Sequence, residues 1–128
     1  MKIFLSILVC IGILISTNAC SFEIKKYEEK GFNAEIYAGS LVVLVFKSEK
    51  CQICDGKINS IYQLLKIPRY KEMKVFSINF DYEKSIVKKF DVINPGTIIL
   101  MKGNTEVFRS SDAQTQKVLE FEVARALN

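Results

Sequence analysis

The feature that most constrains the fold is a run of six apolar residues, Leu41 to Phe46, followed closely by two cysteines, Cys51 and Cys54. Successive side chains of a strand point to opposite sides of the sheet, so a strand that is apolar at every position is buried on both faces. Such a strand needs a covering layer on each side. The run therefore predicts a central strand in a sheet that lies between helices.

The spacing Cys51-Gln52-Ile53-Cys54 places two thiols at the start of a helix that the apolar periodicity predicts for residues 51–65. A helix N-terminus carries unpaired N–H groups and partial positive charge, which favour a thiolate over a thiol. Because the thiolate is the nucleophile, Cys51 is the candidate for attack and Cys54 for resolving the mixed disulfide. Lys50 adds a neighbouring positive charge that would help to lower the pKa of Cys51. The pattern predicts thiol–disulfide exchange.

Composition narrows the classes of function. With 128 residues, 49% apolar and 25% charged, the chain suits one globular domain. The net charge of +4 is not concentrated in one basic stretch, so we expect no nucleic-acid partner. Histidine is absent, which excludes Cys–His and Ser–His catalysis and removes the commonest metal ligand. We expect neither a metal site nor a dissolved cofactor.

The N-terminus has the pattern of an export signal. Lys2 precedes the apolar run Ile3 to Ile15, and the small polar stretch Ser16 to Ala19 follows it. This pattern predicts a signal peptide at residues 1–19 and a domain at residues 20–128. Cleavage after Ala19 would leave Cys20 as the first residue, as in bacterial lipoproteins, although Thr17 departs from their usual signal. Lipidation of Cys20, simple secretion and retention as an anchor all stay open.

The rest of the chain predicts alternating strands and helices in the order βαβαβαββα. Asp81 and Asp112 are candidate helix caps, and Asn94-Pro95-Gly96 is a turn signal. The predicted strands are residues 21–27, 41–46, 74–80, 97–101 and 105–109, and the predicted helices are residues 28–37, 51–65, 82–90 and 112–127. A mixed central sheet with helices on both faces follows from this order.

Four segments, at residues 41–51, 75–81, 90–92 and 94–103, together resemble the thioredoxin family, and the resemblance covers nearly all of residues 20–128. It implies an α/β thioredoxin-like fold and a redox-active Cys51–Cys54 disulfide, with Cys51 attacking and Cys54 resolving. It also implies that Pro95 is a cis-proline beside the disulfide, shaping a groove that binds substrate backbone.

Several residues depart from the family pattern. Gly96 follows Pro95 where the family often continues directly with Thr, so either residue could occupy the cis-proline position. Val45 stands where many thioredoxins keep a buried acid, and Lys50 stands where Trp is common. The pair Gln52-Ile53 matches neither the reducing nor the strongly oxidising members. The redox direction therefore stays open.

These observations predict an exported, monomeric thiol–disulfide oxidoreductase that acts on protein substrates in the bacterial envelope. Its electrons would come from a membrane or periplasmic redox partner, and lipidated Cys20 could tether it to the membrane. Two alternatives stay open. One is a non-catalytic binding or structural module, and the other is a soft-metal carrier that binds Cu(I) through Cys51 and Cys54.

Overall fold

The computed structural model describes residues 23–112 and 116–128, and these ranges form five strands and four α-helices. A short 3-10 helix, Pro68–Tyr70, follows the second α-helix. The strands are β1 (Ile24–Lys26), β2 (Leu41–Lys47), β3 (Lys74–Asn79), β4 (Ile98–Lys102) and β5 (Thr105–Ser110). The helices are α1 (Glu29–Tyr37), α2 (Cys54–Leu65), α3 (Lys84–Lys89) and α4 (Gln116–Leu127).

The strands form one mixed sheet in the order β1-β3-β2-β4-β5. Strands β1, β3 and β2 are parallel, whereas β4 runs antiparallel to both β2 and β5. The predicted order βαβαβαββα and the α/β fold are confirmed. The apolar run Leu41 to Phe46 lies in the central strand with every residue buried, as its composition predicts.

The sheet separates two apolar cores, and β2 contributes alternate side chains to each. Leu41, Val43 and Val45 face the side on which α2 and α4 pack, with Ile61 of α2 and Leu119 of α4. The intervening residues of β2 face the opposite side of the sheet, where α1 and α3 lie. On that side, five aromatic rings pack against one another in tilted or edge-to-face contacts: Tyr27, Phe32, Phe46, Phe76 and Phe90. Both faces of the sheet are therefore covered, and helix α2, which begins at Cys54, is fixed against one of them.

Two predicted helix starts are wrong by two or three residues, and hydrogen bonds explain each. Helix α2 begins at Cys54 rather than Cys51, because Cys51 still belongs to the preceding turn, in which its N–H donates to the Ser48 carbonyl. Helix α3 begins at Lys84 rather than Tyr82, and Asp81 does not cap it. The Asp81 carboxylate instead accepts a hydrogen bond from the Ser48 hydroxyl.

The predicted signal peptide and Cys20 lie outside the described residues, as do residues 113–115, between Asp112 and the start of α4. Within residues 23–112 and 116–128, no helix is both long enough and apolar enough to cross a membrane.

Candidate active site

A disulfide joins Cys51 and Cys54 at the N-terminal end of α2, with an S–S distance of 2.06 Å. The sulfurs lie where β2 leaves the sheet and the chain turns into the helix. Ile53 occupies the N-cap position and offers no side-chain acceptor to the first helical N–H groups. These N–H groups and the helix dipole therefore stay available to stabilise negative charge on sulfur.

The two cysteines differ in their access to solvent. Cys51 is partly exposed in the turn before the helix, whereas Cys54 is only 3% exposed. The Cys54 sulfur lies 3.9 Å from the backbone carbonyl of Phe46, at the end of the central strand. An incoming disulfide can reach Cys51, but Cys54 is covered by the protein.

Gly96 lies directly against the disulfide. A methyl group placed on Gly96 would lie 3.1 Å from Cys51 Sγ and 3.3 Å from the Ile53 side chain. The Gly96 N–H donates to the Phe46 carbonyl at 2.7 Å, and the Thr97 carbonyl accepts from the Phe46 N–H at 3.0 Å. These bonds hold the turn at residues 94–97 beside the sulfurs.

The expected cis-proline is not found, because no peptide bond in residues 23–112 or 116–128 is cis. The physical reason is the Pro95-Gly96 pair. Gly96 adopts φ +81°, which suits the third position of a type II turn, and proline with a trans bond suits the second. The Thr97 hydroxyl closes this turn by donating to the Asn94 carbonyl at 2.7 Å.

Lys57 is a site residue that the sequence analysis missed. It lies three residues after Cys54 on the inward face of α2, is 3% exposed, and its ammonium donates a hydrogen bond to the Gly96 carbonyl. Burial lowers the pKa of Lys57, and the negative charge of Asp112 partly opposes this shift. The available signal was its spacing, because a lysine three residues after Cys54 and four before Ile61 falls within the apolar stripe.

The loop before Cys51 is tied to the segment that follows β3. The Ser48 hydroxyl donates to the Asp81 carboxylate at 2.8 Å and accepts from the Lys50 N–H at 3.2 Å. Lys50, predicted to tune the pKa of Cys51, is exposed in this loop. Val45 is fully buried and apolar, as the departure from the family pattern implied.

Comparison with known proteins identifies the site. The family model for thioredoxin matches residues 23–125, which include the disulfide, the turn at residues 94–97 and all five strands. The chain belongs to the thioredoxin family. With its Cys51–Cys54 pair, this thioredoxin-family protein is a thiol–disulfide oxidoreductase. No curated protein sequence matches the chain significantly.

Solved structures agree on the thioredoxin fold. Trxlp from Edwardsiella tarda is 24% identical with a TM-score of 0.71, covering 77% of this chain and 97% of that one. A thioredoxin-2, described as a component of malaria parasite protein secretion machinery, is 26% identical with a TM-score of 0.61, covering 67% and 82%. Oxidised thioredoxin from Plasmodium falciparum is 18% identical with a TM-score of 0.66, covering 81% and 99%.

The thioredoxin-family site is not accompanied by a cluster of metal ligands. Within the described parts of the chain, no group of three or more His, Cys, Asp or Glu side chains could hold a metal ion.

Proposed function

We propose that this protein exchanges disulfides with protein substrates outside the cytoplasm, with Cys51 as the attacking and Cys54 as the resolving cysteine. The observation that carries these roles is the difference in access between the sulfurs, since Cys51 is partly exposed and Cys54 is 3% exposed. Attack on a large substrate needs an accessible sulfur. Resolution needs only a sulfur within reach of the first, which the Cys51–Cys54 bond itself supplies.

In the reducing direction, the Cys51 thiolate attacks one sulfur of a substrate disulfide. A Cys51–substrate disulfide forms, and the other substrate sulfur leaves as a thiolate. Cys54, after losing its proton, then attacks Cys51 Sγ, which forms the Cys51–Cys54 disulfide and releases the second substrate thiolate. The substrate gains two electrons, the CxxC pair loses two, and the protons lost by the two cysteines balance the two substrate thiols. The oxidising direction is the reverse.

One exposed apolar side chain next to the turn at residues 94–97 supports protein rather than small-molecule substrates. Ile93, two residues before Pro95, is 80% exposed, although most large aliphatic side chains of the described residues are buried. A bound polypeptide segment would gain free energy by covering this exposed isoleucine, next to the turn at residues 94–97, with an apolar group. Small disulfides such as oxidised glutathione would not need this contact.

Trapping experiments test the cysteine roles. In the full chain with Cys10→Ser and Cys20→Ser, so that only the pair carries thiols, Cys54→Ser should accumulate a mixed disulfide with a disulfide-bonded test protein. The matched variant Cys51→Ser should accumulate little, because its remaining thiol is buried. Equal trapping by the two variants, or greater trapping by Cys51→Ser, would reverse the proposed assignment.

Ile93→Ala tests the substrate class. We expect the rate of reduction of a protein disulfide to fall several-fold, while the rate with oxidised glutathione stays within the error of the unsubstituted protein. An equal effect on both rates, or no effect on either, would contradict the proposed preference for protein substrates.

Export is supported by the N-terminal sequence, in which Lys2, the apolar run Ile3 to Ile15 and the stretch Ser16 to Ala19 have the order of a signal peptide. Mass spectrometry of the protein made in a bacterial host would test it. We expect a chain that begins at Cys20, with or without a diacylglyceryl group. An intact N-terminus in the cytoplasmic fraction would contradict export.

A further inference from the structure

A buried lysine beside the disulfide needs an explanation. Lys57 is the one charged side chain buried within residues 23–112 and 116–128. Burying an ammonium group is costly unless it has a partner, and an apolar side chain would fill the same space without that cost. Lys57 also lies on the helix that begins at Cys54, so its charge is held close to the redox pair.

Two contacts connect the Lys57 ammonium to the attacking sulfur. The ammonium donates to the Gly96 carbonyl, and the Cα of Gly96 lies so close to Cys51 that an added methyl group would be 3.1 Å from Sγ. The same glycine donates its N–H to the Phe46 carbonyl. The turn at residues 94–97 is thus held by β2 on one side and by Lys57 on the other.

We propose that Lys57 is a positioning residue with an electrostatic role: it holds Gly96 against Cys51 and supplies a fixed internal positive charge that favours the Cys51 thiolate in the reduced protein. The inference rests on the proposed exchange chemistry at Cys51. Stabilising the thiolate stabilises the reduced pair, which raises its reduction potential. Lys57 therefore makes the protein a weaker reductant than the same site would be with an apolar residue.

Among the described residues, few titratable groups act on Lys57. The turn at residues 94–97 contributes no titratable side chain, and the CxxC pair contributes the two sulfurs. Among the described residues, Asp112 is the carboxylate whose charge acts on Lys57, and it raises the pKa of the ammonium that burial lowers. Asp112 is exposed, so solvent screens its effect on the Lys57 ammonium.

The test replaces Lys57 by Met, which has a similar shape and no charge, in the full chain carrying Cys10→Ser and Cys20→Ser. Lys66→Met is the matched control, because Lys66 is exposed at the far end of the same helix. Thiolate absorbance, followed as the pH is raised, reports the pKa of Cys51 in the reduced protein. Equilibration with glutathione reports the reduction potential.

We expect Lys57→Met to raise the pKa of Cys51 by about one unit. The equilibrium constant for reduction by glutathione should fall by up to about tenfold, or about 30 mV, with no change in either quantity for Lys66→Met. A folded Lys57→Met protein whose Cys51 titrates as in the parent would overturn the electrostatic role. If Lys57 had only a structural role, replacing it would change the melting temperature and leave the pKa of Cys51 unchanged.

A second measurement needs no substitution at Lys57 and so holds even if the Met variant does not fold. Coupling between two titrating groups is reciprocal, so a Cys51 thiolate should raise the pKa of Lys57 by the amount that Lys57 lowers that of Cys51. We expect the NMR signal of Lys57 Cε to titrate at higher pH in the reduced than in the oxidised protein. Identical titrations would refute the proposal. Failure of the proposed exchange function would appear separately, as a pair that does not equilibrate with glutathione.

Discussion

Replacing Gly96 by Ala tests the close approach of the turn at residues 94–97 to the disulfide. Two costs add at this position. Gly96 has φ +81°, where an L side chain is strained by about 1–2 kcal/mol. In addition, the new methyl group would lie 3.1 Å from Cys51 Sγ, and the bond to Cys54 prevents this sulfur from rotating away. Overpacking of this kind costs about 1–3 kcal/mol.

Gly39→Ala separates the two costs. Gly39 follows α1 with φ +75°, in a Schellman motif where its N–H donates to the Ile36 carbonyl and the Ser40 N–H donates to the Glu35 carbonyl. A methyl group on Gly39 would have nothing within 4 Å. This variant therefore carries the backbone strain without the contact, and we expect it to lose about 1–2 kcal/mol of unfolding free energy.

The assay is guanidinium unfolding of both oxidised proteins, followed by far-ultraviolet circular dichroism. Gly96→Ala should lose about 2–5 kcal/mol, more than Gly39→Ala. The additional loss should be confined to the oxidised protein, since a free thiol at Cys51 can rotate away from the methyl group. The reduction potential should therefore rise by about 20 mV or more, since about 30 mV corresponds to 1.4 kcal/mol. Equal losses for the two variants, to within about 0.5 kcal/mol, would refute the argument from the sulfur contact.

Two further predictions concern contacts outside the sulfurs. Ser48→Ala removes the donor to Asp81 and should cost about 1–2 kcal/mol in a denaturation assay. Ser60→Ala, whose hydroxyl donates to the Gly56 carbonyl on the exposed surface of α2, should change stability by less than about 0.5 kcal/mol. Desolvation lowers the pKa of Lys89, but its hydrogen bonds to Tyr27 and Glu29 and their charges outweigh it, so the pKa is raised above 10.5. Protonated Lys89 therefore stabilises the folded protein below pH 10.5, and this stabilisation is lost as the pH rises through the raised pKa. The difference in unfolding free energy between the parent and Lys89→Met should shrink above pH 10.5. No such shrinkage, or the same shrinkage in the control Lys88→Met, would contradict this explanation.

The fold could be predicted because its determinants are local in the sequence. The apolar run Leu41 to Phe46 specifies a strand buried on both faces, and the turn signals at Asn94-Pro95-Gly96 and Lys102-Gly103-Asn104 bound β4. Element boundaries were less accurate where a side chain has a distant partner. Asp81 has a carboxylate that could cap a helix. This carboxylate instead accepts a hydrogen bond from the hydroxyl of Ser48, 33 residues away in the chain.

The candidate site was predicted only in part for a similar reason. The positions of Cys51 and Cys54 follow from a motif that is contiguous in the chain, and the disulfide joins them as expected. The cis-proline expectation was wrong because Pro95-Gly96 also satisfies a turn with a trans bond, and glycine supplies the positive φ that this turn needs. Lys57 was missed because lysine is normally assigned to the solvent face, and its partner Gly96 is 39 residues away in the chain.

Gly96 and Lys57 together explain how this site manages without a cis-proline. Glycine lets the backbone approach Cys51 Sγ more closely than a residue with a side chain could, but it is also the residue that loses most conformational freedom on folding. A glycine turn beside the sulfur therefore needs other groups to hold it. The Phe46 carbonyl binds its N–H, and the Lys57 ammonium binds its carbonyl, so both polar groups of the residue are fixed. Because the Lys57 ammonium carries a charge, the contact that positions the turn also acts on the ionisation of Cys51. Replacing Lys57 should therefore change both the position of the turn and the pKa of Cys51.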